Sequence, residues 1–249
     1  MPEISLLIAT RNAHKTGEIR AILGDRFRFL TLNDFPGAPK VVEDAATFAG
    51  NATKKAVELA RWLSASRHSS LVTCHAFVLA DDSGLEVDAL SGAPGVHSAR
   101  FAALDLSADG SSAGPSGNSP DADNNAKLLR LLKDVPLEKR TARFHCVIAL
   151  TPVLPEKAEA APDVPERREG SSPVCYADEF EMETEVFDGV CEGRMIFEPR
   201  GRNGFGYDPL FVPVGYEQTF AELGDIIKNQ LSHRSKALQK LLNRLRLVN

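Results

Sequence analysis

The sequence predicts an α/β fold, and three observations predict it. Near the N-terminus a short, nearly continuous apolar run, Ile4-Ser5-Leu6-Leu7-Ile8-Ala9, suits a strand buried on both faces. It gives way at once to a segment with residues at helical spacing. Further on, Leu85-Glu86-Val87-Asp88-Ala89-Leu90 and Phe180-Glu181-Met182-Glu183-Thr184-Glu185-Val186 alternate apolar with polar, as strands with one wet face do.

Composition limits the function classes. With 249 residues, 43% of them hydrophobic, the chain is long enough for one large domain or two small ones. A net charge of −5 provides no general basic field for nucleic acid or an anionic membrane, so a polyanionic ligand needs a local basic pocket. Cys74, Cys146, Cys175 and Cys191 show no CxxC spacing, and three of them lie in strand-like sequence. Free thiols in a reducing cytosol are expected, not a disulfide framework or a zinc site. No basic stretch precedes the first apolar run and no segment approaches a membrane span, so a soluble, cytoplasmic protein is expected.

Taken in order, the first strand stops at Thr10-Arg11-Asn12-Ala13-His14-Lys15. Asn12 fits an N-cap, and Lys15, Glu18, Ile19, Ile22 and Leu23 recur at helical spacing. The helix N-terminus with Lys15 offers amides and a cation where phosphate fits, although an ordinary βα turn with a surface lysine reads the same. A strand and loop follow from Phe27 to Val42, ending at Val41-Val42-Glu43-Asp44. The next helix runs from Thr47, its cap, into Ser64, with Phe48, Ala52, Ala56, Leu59, Ala60 and Leu63 on one face. Lys54 and Lys55 near its start oppose the helix dipole, which favours an anion opposite them or a solvated lysine.

Leu71 to Ala80 reads as a strand that delivers Asp81-Asp82, with Leu85 to Leu90 a second short one. Paired carboxylates repel, and a hard divalent cation is the simplest compensation. A solvated turn is the alternative, since Asp, Ser and Gly all favour turns. Ser91 to Phe101 is a turn-dense loop carrying one cation, Arg100. The stretches 104–123 and 152–173 read as surface insertions, and helix resumes from Asn124 to Lys133. Arg140 to Leu150 forms a long strand in which His145 has no partner at metal-ligand spacing. Gly189 and Gly193 punctuate a turn before Arg194. Gly201-Arg202-Asn203-Gly204-Phe205-Gly206-Tyr207-Asp208-Pro209 precedes a strand, Leu210-Phe211-Val212, and either lets a ligand approach its backbone and stack on an aromatic or forms a tight hairpin. Ser232-His233-Arg234-Ser235 starts a last helix with Ala237, Leu238, Leu241, Leu242 and Leu245 inward.

These stretches together resemble the inosine triphosphate pyrophosphatase family, also called Ham1-like. The resemblance rests on Thr10 to Lys15 with Glu18, Glu43 ahead of Thr47-Phe48, Asn51-Ala52 with Lys55-Ala56, and Ala80 to Leu85. It continues through Gly92 to Val96, Ser98-Ala99-Arg100-Phe101, Arg143-Phe144, Gly204 to Phe211, Lys228 and Ser232-His233-Arg234. Arg11 stands where relatives often carry glycine, and Ala49 and Gly50 where they usually carry acids.

The resemblance implies one domain over 1–249, an elongated mixed sheet flanked by helices, two lobes with a central cleft, and a homodimer. It implies hydrolysis of ITP, dITP or XTP to the monophosphate and diphosphate. Glu43 and Asp82 would hold Mg2+, and Asp82 would accept the proton of the attacking water, with Lys15 and Lys55 beside it. Thr10, Arg11, Asn12, Ala13, His14, Lys15, Lys55 and Ser83 would hold the triphosphate. Phe205, Gly206, Tyr207, Asp208, Lys228, His233 and Arg234 would form the base site. A hydrolase for canonical or pyrimidine nucleotides, or a non-catalytic nucleotide-binding protein, are the other readings.

Overall fold

The computed structural model describes residues 4–65, 76–107, 117–154 and 183–246. Strands Ser5–Ile8 (β1), Arg28–Thr31 (β2), Ala76–Val87 (β3), Thr141–Pro152 (β4), Glu185–Met195 (β5) and Phe211–Pro213 (β6) form one open sheet, ordered β2-β1-β3-β4-β5-β6. The β1 strand pairs in parallel with β2 and β3, while β3, β4, β5 and β6 pair antiparallel, so the sheet is mixed as expected. Helices Ala13–Leu23 (α1), Phe48–Ala65 (α2), Asp121–Leu131 (α3), Phe220–Leu231 (α4) and His233–Arg246 (α5) flank it.

The two central strands are long enough to serve two lobes. The first part of β3 is covered on one face by α2, whose Phe48, Ala52, Ala56, Leu59, Ala60 and Leu63 form the predicted apolar stripe. On the other face lie α1 and α5, with Ala237, Leu238, Leu241, Leu242 and Leu245 inward as read from the sequence. Farther along, Leu85 and Val87 of β3 join Phe144, Leu128, Phe211 and Phe220 in a separate core. Between these cores the strand is polar from Asp81 to Gly84, and there the cleft opens.

Local signals fix the helix starts. The Asn12 side chain accepts from the His14 and Lys15 amides and caps α1. Thr47 Oγ1 accepts from the Gly50 amide at 3.0 Å ahead of α2, and Ser232 Oγ from the Ser235 amide at 3.2 Å ahead of α5. A capping box between Thr219 and Glu222 starts α4.

The structure corrects several expectations. Asp81-Asp82 does not end a strand: β3 continues to Val87, and register with β4 runs unbroken from Asp81 opposite Ile148 to Gly84 opposite His145. Residues 71–75 lie outside the described residues, and Asp88–Leu90 is a 3₁₀ turn. The polar run looked like a turn because its burial depends on neighbours that local sequence does not reveal. Gly189 and Gly193 sit inside β5, not in a turn. A Cβ at Gly189 would lie 2.1 Å from the His233 carbonyl oxygen, and one at Gly193 2.4 Å from the Phe211 ring, so glycine here permits close packing. Helix α3 begins at Asp121, earlier than expected, with Asp121 and Asp123 in its first turn where they favour the dipole. Within the two insertion stretches, residues 108–116 and 155–173 lie outside the described residues, as do 180–182, while the first stretch overlaps a 3₁₀ helix, Ala102–Ser107, and the start of α3.

Because Gly189 lets the first turn of α5 rest on β5, Gly189→Ala is expected to destabilise the protein by about 1–3 kcal/mol. Urea unfolding measures this, and an unchanged midpoint would contradict the contact.

Candidate active site

The pleat of β3 decides what the two carboxylates do. Successive side chains point to opposite faces, so Asp81 turns toward α1 and α5 and Asp82 toward α2. They share a backbone junction but not an environment.

Asp81 is fully built into the protein. Its carboxylate accepts from Lys15 Nζ, from Arg234 Nε at 2.9 Å, from Ser83 Oγ at 3.1 Å and from the buried Cys146 thiol at 3.1 Å. Burial alone would raise its pKa, but Arg234 and Lys15 outweigh it and hold the carboxyl well below the usual range. Arg234 also binds Glu18 of α1, and Glu18 binds Lys228 of α4 at 2.7 Å. Lys228 reaches Asp208 at 2.5 Å, and Asp208 accepts from the Phe205 amide at 2.9 Å. Alternating charges thus run from Lys15 to the glycine-rich loop, joining α1, β3, α4, α5 and that loop.

Asp82 has no such counter-ion. It accepts from the Asn51 side chain at 3.0 Å and from the Ser83 amide at 3.1 Å. Burial pushes its pKa up to about 6 and Glu43 adds to the rise, while Lys15, Lys55 and Asn51 oppose it. Lys55, one helical turn after Asn51, places Nζ 3.0 Å from the Asp81 carbonyl oxygen and 3.0 Å from Glu43. Asn51 also accepts from the Ala45 amide, tying the Glu43 loop to α2. Lys54 instead pairs with Asp44 at the surface.

These side chains line a cleft of about 680 Å³ between the lobes. Thr10, Asn12, Lys15, Lys55, Glu43, Asp82 and Ser83 line it, together with Phe205, Gly206, Tyr207, Asp208, Lys228, His233 and Arg234, and Arg234 Nη2 donates to Ser83 Oγ at 2.9 Å. Arg11 lines an adjoining cavity, and its guanidinium reaches the Ala38 carbonyl at 3.5 Å. Ala13 and His14 form the first turn of α1. The His14 ring stacks on Phe205 with centroids 5.4 Å apart, so the cleft's two sides touch there. Gly204 and Gly206 take positive φ, and a Cβ at Gly204 would meet the Asp208 carboxylate at 2.1 Å. His233 is buried against Phe144 with Nδ1 lacking a hydrogen-bond partner, and burial with Arg234 and Lys228 drives its pKa well below the ordinary value. It is neutral at pH 7.

Sequence reading gave no role to three contributors. Glu18 and Asn51 lie one helical turn from Lys15 and Lys55, a spacing that could have flagged them. Cys146 carried no local signal, since only the register of β4 brings it to Asp81.

The open mixed sheet and charged interlobe cleft define an α/β protein equipped to take a small anionic ligand. The chain belongs to the Ham1 family, whose model matches residues 6–244. It is 41% identical over 246 residues to a dITP/XTP pyrophosphatase of Desulforamulus reducens, covering 97% of each chain. It is 42% identical to one of Geobacillus kaustophilus, covering 95% of this chain and 91% of that one. Among solved structures it resembles the Staphylococcus aureus Ham1 protein, with a TM-score of 0.69, 31% identity and coverage of 98% and 100%. Among the described residues, no helix is long and apolar enough to cross a membrane.

The charge chain sets an acid limit on stability. Burial would raise the Glu18 pKa, but Arg234 and Lys228 outweigh it and lower the value. A carboxyl with a lowered folded pKa stabilises fully above its unfolded pKa, and the contribution disappears as pH falls through the folded value. Glu18→Gln is expected to reduce Tm at pH 7 and flatten the loss of Tm between about pH 5 and 3. Parallel Tm curves for the two proteins would contradict this.

Proposed function

We propose that this chain hydrolyses non-canonical purine nucleoside triphosphates, ITP, dITP and XTP, to the monophosphate and diphosphate, acting as one domain and as a homodimer in the cytoplasm. The observation that supports it most is the contrast within β3: Asp81 is neutralised by ion pairs, while Asp82, with its pKa raised to about 6, faces the cleft without a bonded cation. Relatives about 40% identical over nearly their whole length bear the name dITP/XTP pyrophosphatase.

The donor chemistry around Asp82 fits a hard divalent cation. Glu43 and Asp82 offer carboxylate oxygens, and their mutual influence raises Asp82. Among the described residues no cluster of three His, Cys, Asp or Glu is present, and a hard cation held by Glu43 and Asp82 would draw its remaining oxygen ligands from phosphate and water. When bound, Mg2+ neutralises phosphate charge and lowers the pKa of water.

The chain's residues supply the rest. Lys15 and Lys55 face the phosphates with charges fixed in advance, and the first turn of α1 adds its dipole. Asp82 accepts the proton of the water that attacks the α phosphorus, and diphosphate leaves. A carboxyl poised near pH 6 suits that task close to neutrality. Phe205 stacks on the purine, while Lys228 and Arg234 lie near its ring and, with neutral His233 and Asp208, read the base edge. Cationic donors favour a 6-oxo acceptor over adenine's 6-amino group, which would leave buried donors unpaired.

A diphosphate-release assay over ITP, XTP, dITP, GTP, ATP and dUTP tests the reading. Activity on ITP, dITP and XTP is expected to exceed that on ATP by about a hundredfold or more, to vanish with chelator and to return with Mg2+. Release of inorganic phosphate instead of diphosphate, or equal activity on ATP or dUTP, would overturn it.

A further inference from the structure

The loop that carries Glu43 has no regular secondary structure, yet it brings the carboxylate to the cleft that Asp82 lines, close enough to raise the Asp82 pKa. From α2 it is held by Lys55 on the Glu43 carboxylate, Lys54 on Asp44 and Asn51 on the Ala45 amide. One contact comes from the opposite lobe: Arg100 Nη2 donates to the Glu43 carbonyl oxygen at 3.3 Å.

Arg100 ends a 3₁₀ stretch, Gly95–Arg100, whose backbone is clamped by buried polar side chains. Tyr207 Oη donates to the Ser98 carbonyl at 2.9 Å, and Lys127 Nζ to the Phe101 carbonyl at 2.7 Å. Asn124 Nδ2 donates to the Ala99 carbonyl, which also accepts from the Ser119 amide, while Asn124 Oδ1 accepts from the Ala102 amide at 2.8 Å. Tyr207, Asn124 and Lys127 are all buried. Burying polar groups is tolerated when they are bonded, and here the bonds converge on the residues flanking Arg100. The backbone beneath its guanidinium is therefore fixed before anything enters the cleft. Lys55 pairs with the Glu43 side chain, whereas Arg100 holds its main chain.

We propose that Arg100 is a positioning residue that reaches across the cleft to fix the Glu43 loop, and so sets the affinity of the Glu43–Asp82 pair for a divalent cation. The inference rests on the metal reading given above. Position and charge make opposite predictions. Removing a positive charge from the cleft that Glu43 and Asp82 also line should by itself tighten cation binding, whereas losing the tether should weaken it.

The test is Mn2+ binding to the nucleotide-free protein, read from the electron paramagnetic resonance signal of free Mn2+, with Glu43→Gln marking the site. Arg100→Met is expected to weaken binding about tenfold with the Tm in chelator unchanged, since the clamp does not use the guanidinium. Arg100→Lys, which keeps the charge and one donor, should recover part of the loss, and it carries the test if the methionine variant does not fold. Unchanged or tighter binding in Arg100→Met, or in Arg100→Lys where that variant carries the test, would overturn the proposal, with a raised KM for ITP assigning Arg100 to the triphosphate instead. If Glu43→Gln abolishes binding while the Arg100 variants match wild type, the metal reading stands and this inference falls. If wild type binds no Mn2+, both fall.

Discussion

The alternation of side chains along β3 is the constraint on which the site depends. A strand cannot point two neighbouring residues the same way, so adjacent carboxylates at its centre are sent into different chemistry. Asp81 meets two cations, Lys15 and Arg234, on the α1 and α5 face, whereas Asp82 faces α2, two amide donors and a second carboxylate. Proximity in sequence becomes division of labour in space.

The buried charges on the Asp81 side cost desolvation, and they are arranged so that no member lacks an opposite partner. Lys15, Asp81, Arg234, Glu18, Lys228 and Asp208 alternate in sign, and their side chains come from α1, β3, α4, α5 and the glycine-rich loop. Breaking one link leaves a charge buried without its counter-ion, which is far costlier than the net worth of an intact pair. The chain therefore fixes the relative placement of Lys15 on α1 and the glycine-rich loop. Gly189 serves the same purpose sterically, letting α5 lie close enough to β5 for Arg234 to reach Asp81.

Much of this was legible in the sequence where the signal is local. The caps at Asn12, Thr47 and Ser232 and the apolar stripes of α2 and α5 depend on residues close along the chain, and they appear as read. The glycine-rich loop was recognised for the same reason. What failed depends on distant neighbours. The run Asp81-Asp82-Ser83-Gly84 has the composition of a turn, and only pairing with β4 makes it strand. Glycines in β5 resemble turn punctuation until α5 and β6 are seen pressed against them. Glu18 looked like an ordinary polar helix position, because its partners Lys228 and Arg234 lie more than 200 residues away in sequence.

The separation of Asp81 from Asp82 is tested most directly by replacing each with asparagine and measuring urea unfolding in chelator beside diphosphate release from ITP. Asp82→Asn should stay folded, with a midpoint at or above wild type at pH 8 because a carboxylate disfavoured by burial is gone, and should release no diphosphate. Asp81→Asn should lose about 3–5 kcal/mol of stability, because Arg234 and Lys15 lose their shared counter-ion. An active Asp82→Asn, or an Asp81→Asn as stable as wild type, would contradict the account.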